Sequence, residues 1–325
     1  MTVNRKLRII LIVILAAVFV GSAAMLLCRE LDYQKGEETY AEAQSLVELP
    51  DFTALETPAV ESAPAEEGAA GEPYVDPYAD ALRSMDFTAL REVNGDVLGW
   101  ILIPGTPISY PLVQGTDNFY YLKHTWKKQS SAVGAIFLES RSSGDLSDFN
   151  TVVYGHRMNN GSMFASLKNY KKQSYWASHP CVYLTDDTGS HKYDIFAAYE
   201  VSTSGETYQI GFSGQESKQA FLDYCVAQSV IQTGITPTVN DRVVTLSTCT
   251  GNGHATRWVV QAVLRGVAVA ESPEEAPAQT PEEAPAQTTE EAPTQMPEET
   301  PDQTMADTAA DGEEGEPSTE STAEP

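Results

Sequence analysis

Cys249 closes an apolar, β-branched run, Val243-Val244-Thr245-Leu246-Ser247-Thr248-Cys249, and is followed by Thr250-Gly251-Asn252-Gly253. A strand that delivers a thiol to its end, ahead of a glycine-rich loop, leaves the sulfur accessible, whereas a structural cysteine more often lies inside the strand. The thiolate is the reactive form, so the site needs a group that favours the anion. His156 ends a second run, Val152-Val153-Tyr154-Gly155-His156. An imidazole at a strand end can be half exposed and carry protons near neutral pH; taken alone, a histidine there is more often a plain surface residue. Arg257 follows Cys249 by eight residues and starts the next apolar run. A hairpin joining the two runs brings both residues to one edge of the sheet. There a permanently charged guanidinium favours the thiolate and can donate to a developing oxyanion.

Other polar residues compete for these roles. His254, five residues after Cys249, is a rival base, but it sits in a Gly-rich loop with no strand to hold it. No ligand cluster completes a zinc site around Cys249 and His254, and there is no Cys-x-x-Cys. Ser247 and Thr248 either hydrogen-bond beside the nucleophile or pack as ordinary strand residues. His124, His179 and His191 read as surface or structural. The remaining cysteines, Cys28, Cys181 and Cys225, are too few and too widely spaced for a disulfide framework. Cys181 and Cys225 either form one bridge or remain buried thiols. No cofactor or metal is expected.

The elements that would position these residues are mostly strands. Val97–Ile103, Ile108–Val113, Ala132–Leu138, Thr151–Tyr154, Cys181–Leu184, Tyr193–Tyr199, Val243–Thr248 and Trp258–Leu264 are short apolar runs bounded by Gly, Pro, Asn or Asp. About eight strands at irregular spacing suit a barrel or a sandwich. Two helices interrupt them, Ser162–Tyr170 and Gln215–Val230. The second places Phe221, Leu222, Cys225, Val226 and Val230 at helical spacing, so Cys225 reads as core.

Charge divides the chain. Its 325 residues carry 20 Lys+Arg against 46 Asp+Glu, a formal net charge of −26, which argues against nucleic-acid binding. Residues 1–8 form a basic N-terminus with Arg5, Lys6 and Arg8, and 9–28 an apolar segment. Its uncharged run Ile9–Leu27 reaches roughly 28 Å at about 1.5 Å per residue, close to the hydrocarbon thickness of a bilayer. The basic residues ahead of it put the N-terminus in the cytoplasm and the rest outside. A signal peptide cut near Ser22-Ala23-Ala24 is the rival reading, and Leu27 argues against a lipoprotein at Cys28. Residues 29–83, with net charge −11, read as an acidic, largely disordered spacer with one helical piece near Glu37–Leu46. Residues 84–270 are nearly neutral and long enough for a packed domain. Residues 271–325 hold 17 acids and no base in eight-residue repeats such as PEEAPAQT, the mark of an extended, disordered tail.

From Asp86 to Leu264 the chain resembles a class B sortase. The resemblance rests on Asn94-Gly95-Asp96-Val97-Leu98-Gly99-Trp100-Ile101, Tyr110–Gln114, Asp117–Leu122, Asn150–Met158, Ser162-Met163-Phe164, Thr245-Leu246-Ser247-Thr248-Cys249 and Arg257. The family signature TLxTC is complete, and the helix before the cysteine strand looks like the extra helix of class B. The resemblance implies a closed eight-stranded β-barrel behind one transmembrane helix. It also implies a cysteine transpeptidase on the outer face of a Gram-positive-type membrane. Cys249 would attack the Thr carbonyl of a sorting motif on a surface protein, His156 would shuttle the proton, and Arg257 would hold the oxyanion. The acceptor would be an amine of a peptidoglycan precursor or a pilin. Gly251 stands where some members carry an acid, so no Asp is expected as a third catalytic group. A thiol hydrolase, or a non-catalytic surface protein displaying its acidic tail, are the alternatives.

Overall fold

The computed structural model describes residues 5–52, 55, 76–251 and 255–269. His254, part of the expected spacer and the repeat tail after residue 269 lie outside the described residues. Eight strands close into a barrel: β1 (Val97–Leu102), β2 (Ser109–Val113), β3 (Ile136–Leu138), β4 (Asn150–Tyr154), β5 (Cys181–Asp186), β6 (Gly189–Ser202), β7 (Val243–Cys249) and β8 (Thr256–Val269). The order around it is β1-β2-β3-β4-β7-β8-β6-β5, with β5 returning to β1, so the sheet has no open edge. Most pairs are antiparallel; β2 with β3 and β4 with β7 run parallel.

All eight expected strands form, with shifted bounds. β3 is confined to three residues because Gly134, at φ +65°, turns the chain just before it. β6 and β8 run well beyond their apolar stretches because they pair with each other from Gly189↔Val269 to Ser202↔Thr256. The expected helix at Ser162–Tyr170 is a three-ten turn, Phe164–Lys171; Met163 before it sits at φ +56° and offers no side-chain cap. Helix α5 (Gln215–Gln228) ends two residues earlier than expected, and Val226 and Val230 are exposed while Phe221, Leu222 and Cys225 are buried. α5 needs only one face, because it covers Phe196, Tyr199, Val201 and Val259 on one flank of β6 and β8. All four cysteines are unbridged, and Cys181 and Cys225 lie in different core clusters.

Within the expected spacer the helical piece near Glu37–Leu46 forms, but the described residues around it are ordered and packed, unlike a disordered spacer. A single helix, α1 (Arg5–Leu46), continues past the apolar run, and Tyr40, Ala43 and Val47 bury themselves on the barrel. Spacings of three and four put these residues on one face, while Glu37, Glu38 and Glu42 are exposed, so the expected helical piece is amphipathic and docked. The Tyr40 ring meets Tyr110 edge-on, 5.2 Å between centroids. Asp76 caps α2 (Pro77–Leu82), whose Tyr78, Ala79 and Leu82 are buried, and α3 (Thr88–Val93) follows. The packed domain thus begins before residue 84. Its remaining helix, α4 (Gln173–Ser178), lies on the surface.

Candidate active site

Strand pairing brings the three candidate residues together. Parallel β4 and β7 leave the sheet at the same rim, with Asn150 opposite Val243 and Tyr154 opposite Ser247. Two further steps along each chain reach His156 and Cys249. The ladder continues past β4: the Gly155 amide donates to the Ser247 carbonyl (3.1 Å) and the Thr248 hydroxyl donates to the Gly155 carbonyl (2.8 Å). Gly155 is required by close approach, since a Cβ there would strike Ile136 and come within 2.7 Å of the Phe164 ring. Across the β7–β8 hairpin Cys249 stands opposite Arg257. Cross-strand neighbours of this kind hold their side chains within about 5 Å at the Cβ.

His156 is fixed on its far side as well. Its Nε2 lies 2.7 Å from the Leu122 carbonyl oxygen. A carbonyl only accepts, so Nε2 carries a proton and Nδ1 is left for the thiol. The hydrogen bond with Cys249 raises the His156 pKa, burial opposes it, and the Leu122 carbonyl and the Cys249 charge assist; Arg257 works against it. The same bond lowers the Cys249 pKa against the effect of burial, and Arg257, His156 and Arg157 add to the lowering. Burial instead pushes the two structural thiols up, Cys181 to about 12 and Cys225 to about 11. The environment of Cys249 therefore favours a thiolate beside an imidazolium.

A cavity of about 690 Å³ opens over these groups, lined by His156, Cys249, Arg257, Leu122, Tyr208 and Asn118 among others. Ser247 and Thr248 also line it; the Ser247 hydroxyl bonds to the Tyr208 phenol (2.8 Å), while Thr248 secures the strand bearing His156. The Tyr208 wall is tied down by a buried network. Asn150 donates to the Thr207 and Gln209 carbonyls (3.1 and 3.0 Å) and accepts from Thr245 (2.7 Å), and Gln261 donates to Thr245 (3.0 Å). Burial and this network leave the wall little freedom.

Sequence reasoning missed Arg157, the Leu122 carbonyl and Tyr208. Arg157 adjoins His156; its Nη1 donates to the Thr250 carbonyl (2.8 Å), and the guanidinium fills the space that a side chain at Gly251 would occupy. Its position beside His156 was the available signal. A backbone carbonyl leaves none. His124 stacks on Tyr120, His179 stacks on Tyr175, and His191 bonds to Asp186; none of them lines the cavity. Among the described residues, no three His, Cys, Asp or Glu side chains gather as metal ligands.

A Sortase domain family model matches residues 101–265. Sortase B of Staphylococcus aureus is 34% identical over 163 residues, which is 50% of this chain and 67% of that protein. Sortase B of Listeria monocytogenes is 35% identical over 160 residues, 49% of this chain and 65% of that protein. The chain thus spans about two thirds of the length of these relatives. The structure of a Staphylococcus aureus sortase B–substrate complex superposes with a TM-score of 0.54 at 33% identity, covering 56% of this chain and 85% of that one. The barrel, its complete TLxTC strand and these matches make the chain a member of the sortase family of cysteine transpeptidases, in class B.

Proposed function

We propose that this protein is a membrane-anchored sortase that joins surface proteins to an amine acceptor, with Cys249, His156 and Arg257 as its catalytic residues. The observation that carries the reading is the pairing of His156 with Cys249 at one rim of the barrel, each shifting the other toward its charged form. The Cys249 thiolate attacks the carbonyl carbon of a Thr in the sorting motif. As the C–S bond forms, Arg257 donates to the oxyanion. The intermediate collapses by breaking the C–N bond, and the imidazolium of His156 gives its proton to the departing amine. The incoming amine then attacks the thioester carbon and gives its proton to His156, and the C–S bond breaks to release Cys249 as thiolate. The acceptor is an amine of a peptidoglycan precursor or of a pilin subunit. That a related sortase B has been captured with its substrate supports the acyl-donor half of this scheme.

Anchoring is assigned to α1. Within it the run Ile9–Leu27 is uncharged, exposed and long and apolar enough to cross a bilayer, with Arg5, Lys6 and Arg8 in the turns ahead of that run. By the positive-inside bias the barrel lies outside the cytoplasmic membrane of a Gram-positive-type cell. The organisation we assign is basic N-terminus 1–8, anchor 9–28, segment 29–83 whose Tyr40–Val47 and α2 pack on the barrel, catalytic barrel 84–270 and acidic repeat tail 271–325. The test is incubation of the protein with a sorting-motif peptide and an amine. Cleavage with amine-dependent ligation, lost in Cys249→Ala, is expected. Cleavage that persists in Cys249→Ala overturns the mechanism, and cleavage with water as sole acceptor makes the enzyme a hydrolase.

A further inference from the structure

The extramembrane half of α1 grips the loop that holds His156. Residues 121–135 form a loop leaving the three-ten turn Tyr120–Leu122 and returning to β3; its first arm carries the Leu122 carbonyl and its last arm carries Gly134. The Ala135 amide donates to the Tyr121 carbonyl (2.9 Å), so the two arms lie side by side. Gly134 packs on the imidazole itself: a Cβ there would lie 2.8 Å from His156 Cδ2 and 3.0 Å from the Leu122 carbonyl oxygen.

Four contacts fasten this loop to α1. The buried Tyr40 hydroxyl donates to the Gly134 carbonyl on the last arm. The Trp126 indole donates to the Thr39 carbonyl (2.8 Å). The Ala132 amide donates to Asp32 (2.9 Å), and Lys127 pairs with Glu42 (2.8 Å). Val133 packs so closely on Gly36 that no side chain fits there. The surface pair with Lys127 contributes little; the buried Tyr40 hydroxyl, reaching across 94 residues of sequence, is the contact that specifies where the loop sits.

We propose that Tyr40 is a positioning residue for the sortase reaction: through Gly134 and the Leu122 carbonyl it holds His156 in place against Cys249, so the helix that anchors the enzyme also sets its general acid. The inference rests on the proposed roles of His156 and Cys249. It assigns α1 beyond the membrane a part in catalysis in addition to tethering.

The test compares the full chain in detergent micelles with its Tyr40→Phe variant, which keeps the ring against Tyr110 and removes only the hydroxyl. The kcat for peptide cleavage is expected to fall about two- to tenfold, the worth of one hydrogen bond, with KM for the peptide unchanged. A loosened His156 stabilises the thiolate less, so the acid limb of the rate profile moves to higher pH and the alkaline limb to lower pH. The pH dependence of Cys249 alkylation is expected to follow the acid limb. Val47→Ala, which loosens α1 at its far end beside Leu46 and Met85, is expected to lower the melting temperature and leave the pH profile in place. If Tyr40→Phe fails to fold, Trp126→Phe removes the indole bond to Thr39 and carries the same test. An unchanged kcat and pH profile in the Tyr40 variant, or an equal shift in Val47→Ala, overturns the role of Tyr40. Activity surviving in Cys249→Ala overturns the underlying mechanism instead.

Discussion

Gly134→Ala tests how tightly catalysis depends on the seat of His156. Gly134 has φ +65°, and an L-residue there costs about 1–2 kcal/mol. The new Cβ would lie 2.8 Å from His156 Cδ2, against roughly 3.5 Å for ordinary carbon contact, so the ring must retreat by about 0.7 Å. Such a retreat would stretch the 2.7 Å bond from Nε2 to Leu122 to at most about 3.4 Å, past useful hydrogen-bond length. Overpacking adds about 1–3 kcal/mol, giving a total destabilisation near 2–5 kcal/mol. For a domain of this size that is a fall in Tm of roughly 4–20 °C. Misplacement of a catalytic group by about 1 Å costs up to ~10²-fold, so kcat/KM for peptide cleavage is expected to drop about 10- to 100-fold. A fluorogenic peptide assay, the rate of Cys249 alkylation at neutral pH and a thermal melt read these three effects. Activity and alkylation within twofold of the parent, in a variant whose Tm has fallen as expected, would refute the argument that the loop's placement governs the imidazole.

Further expectations concern charge. Arg257→Gln removes a cation that lowers both the Cys249 and the His156 pKa. Both limbs of the pH–rate profile should therefore move to higher pH, while loss of the proposed oxyanion donor should cut kcat by about 10²–10³; Arg257→Lys should restore the limbs and not the rate. His156→Gln removes the largest influence lowering Cys249, so alkylation should require higher pH, and loss of the proposed general acid should slow cleavage by about 10²–10⁴. Away from the site, burial works to raise the Asp76 pKa, but the Ala79 amide, the Lys192 ammonium at 2.9 Å and the Tyr183 phenol hold it below the usual 3.8. A depressed carboxyl contributes stability above its unfolded pKa and loses it as pH falls through the folded value. The melting temperature should therefore decline below about pH 4. Asp76→Asn, which removes this partner of Lys192, should cost about 1–3 kcal/mol and remove that part of the decline.

Much of the site was legible in the sequence because its signals are local. Alternating apolar runs ending at Cys249 and His156 marked two strand ends, and the eight-residue spacing to Arg257 marked a hairpin; both follow from period-two strands joined by short turns. Helical spacing read Cys225 correctly as core, yet misplaced Val226 and Val230, because the width of a buried face is set by what it packs against. In the segment 29–52 the helical piece near Glu37–Leu46 was legible but its docking was not: its charge describes the solvent side of α1, and the buried stripe of Tyr40, Ala43 and Val47 has meaning only beside a barrel that folds later in the chain.

The amino-acid sequence by itself determined which groups are available: a thiol at a strand end, an imidazole, a guanidinium and an apolar helix. Tertiary structure decided that they meet. The parallel register of β4 on β7 joins segments about 93 residues apart, as in the bond from Thr248 to Gly155, and no local pattern encodes such a pairing. The proton on His156 Nε2 is held by the Leu122 carbonyl, a group common to every residue and so invisible until the backbone is folded around it.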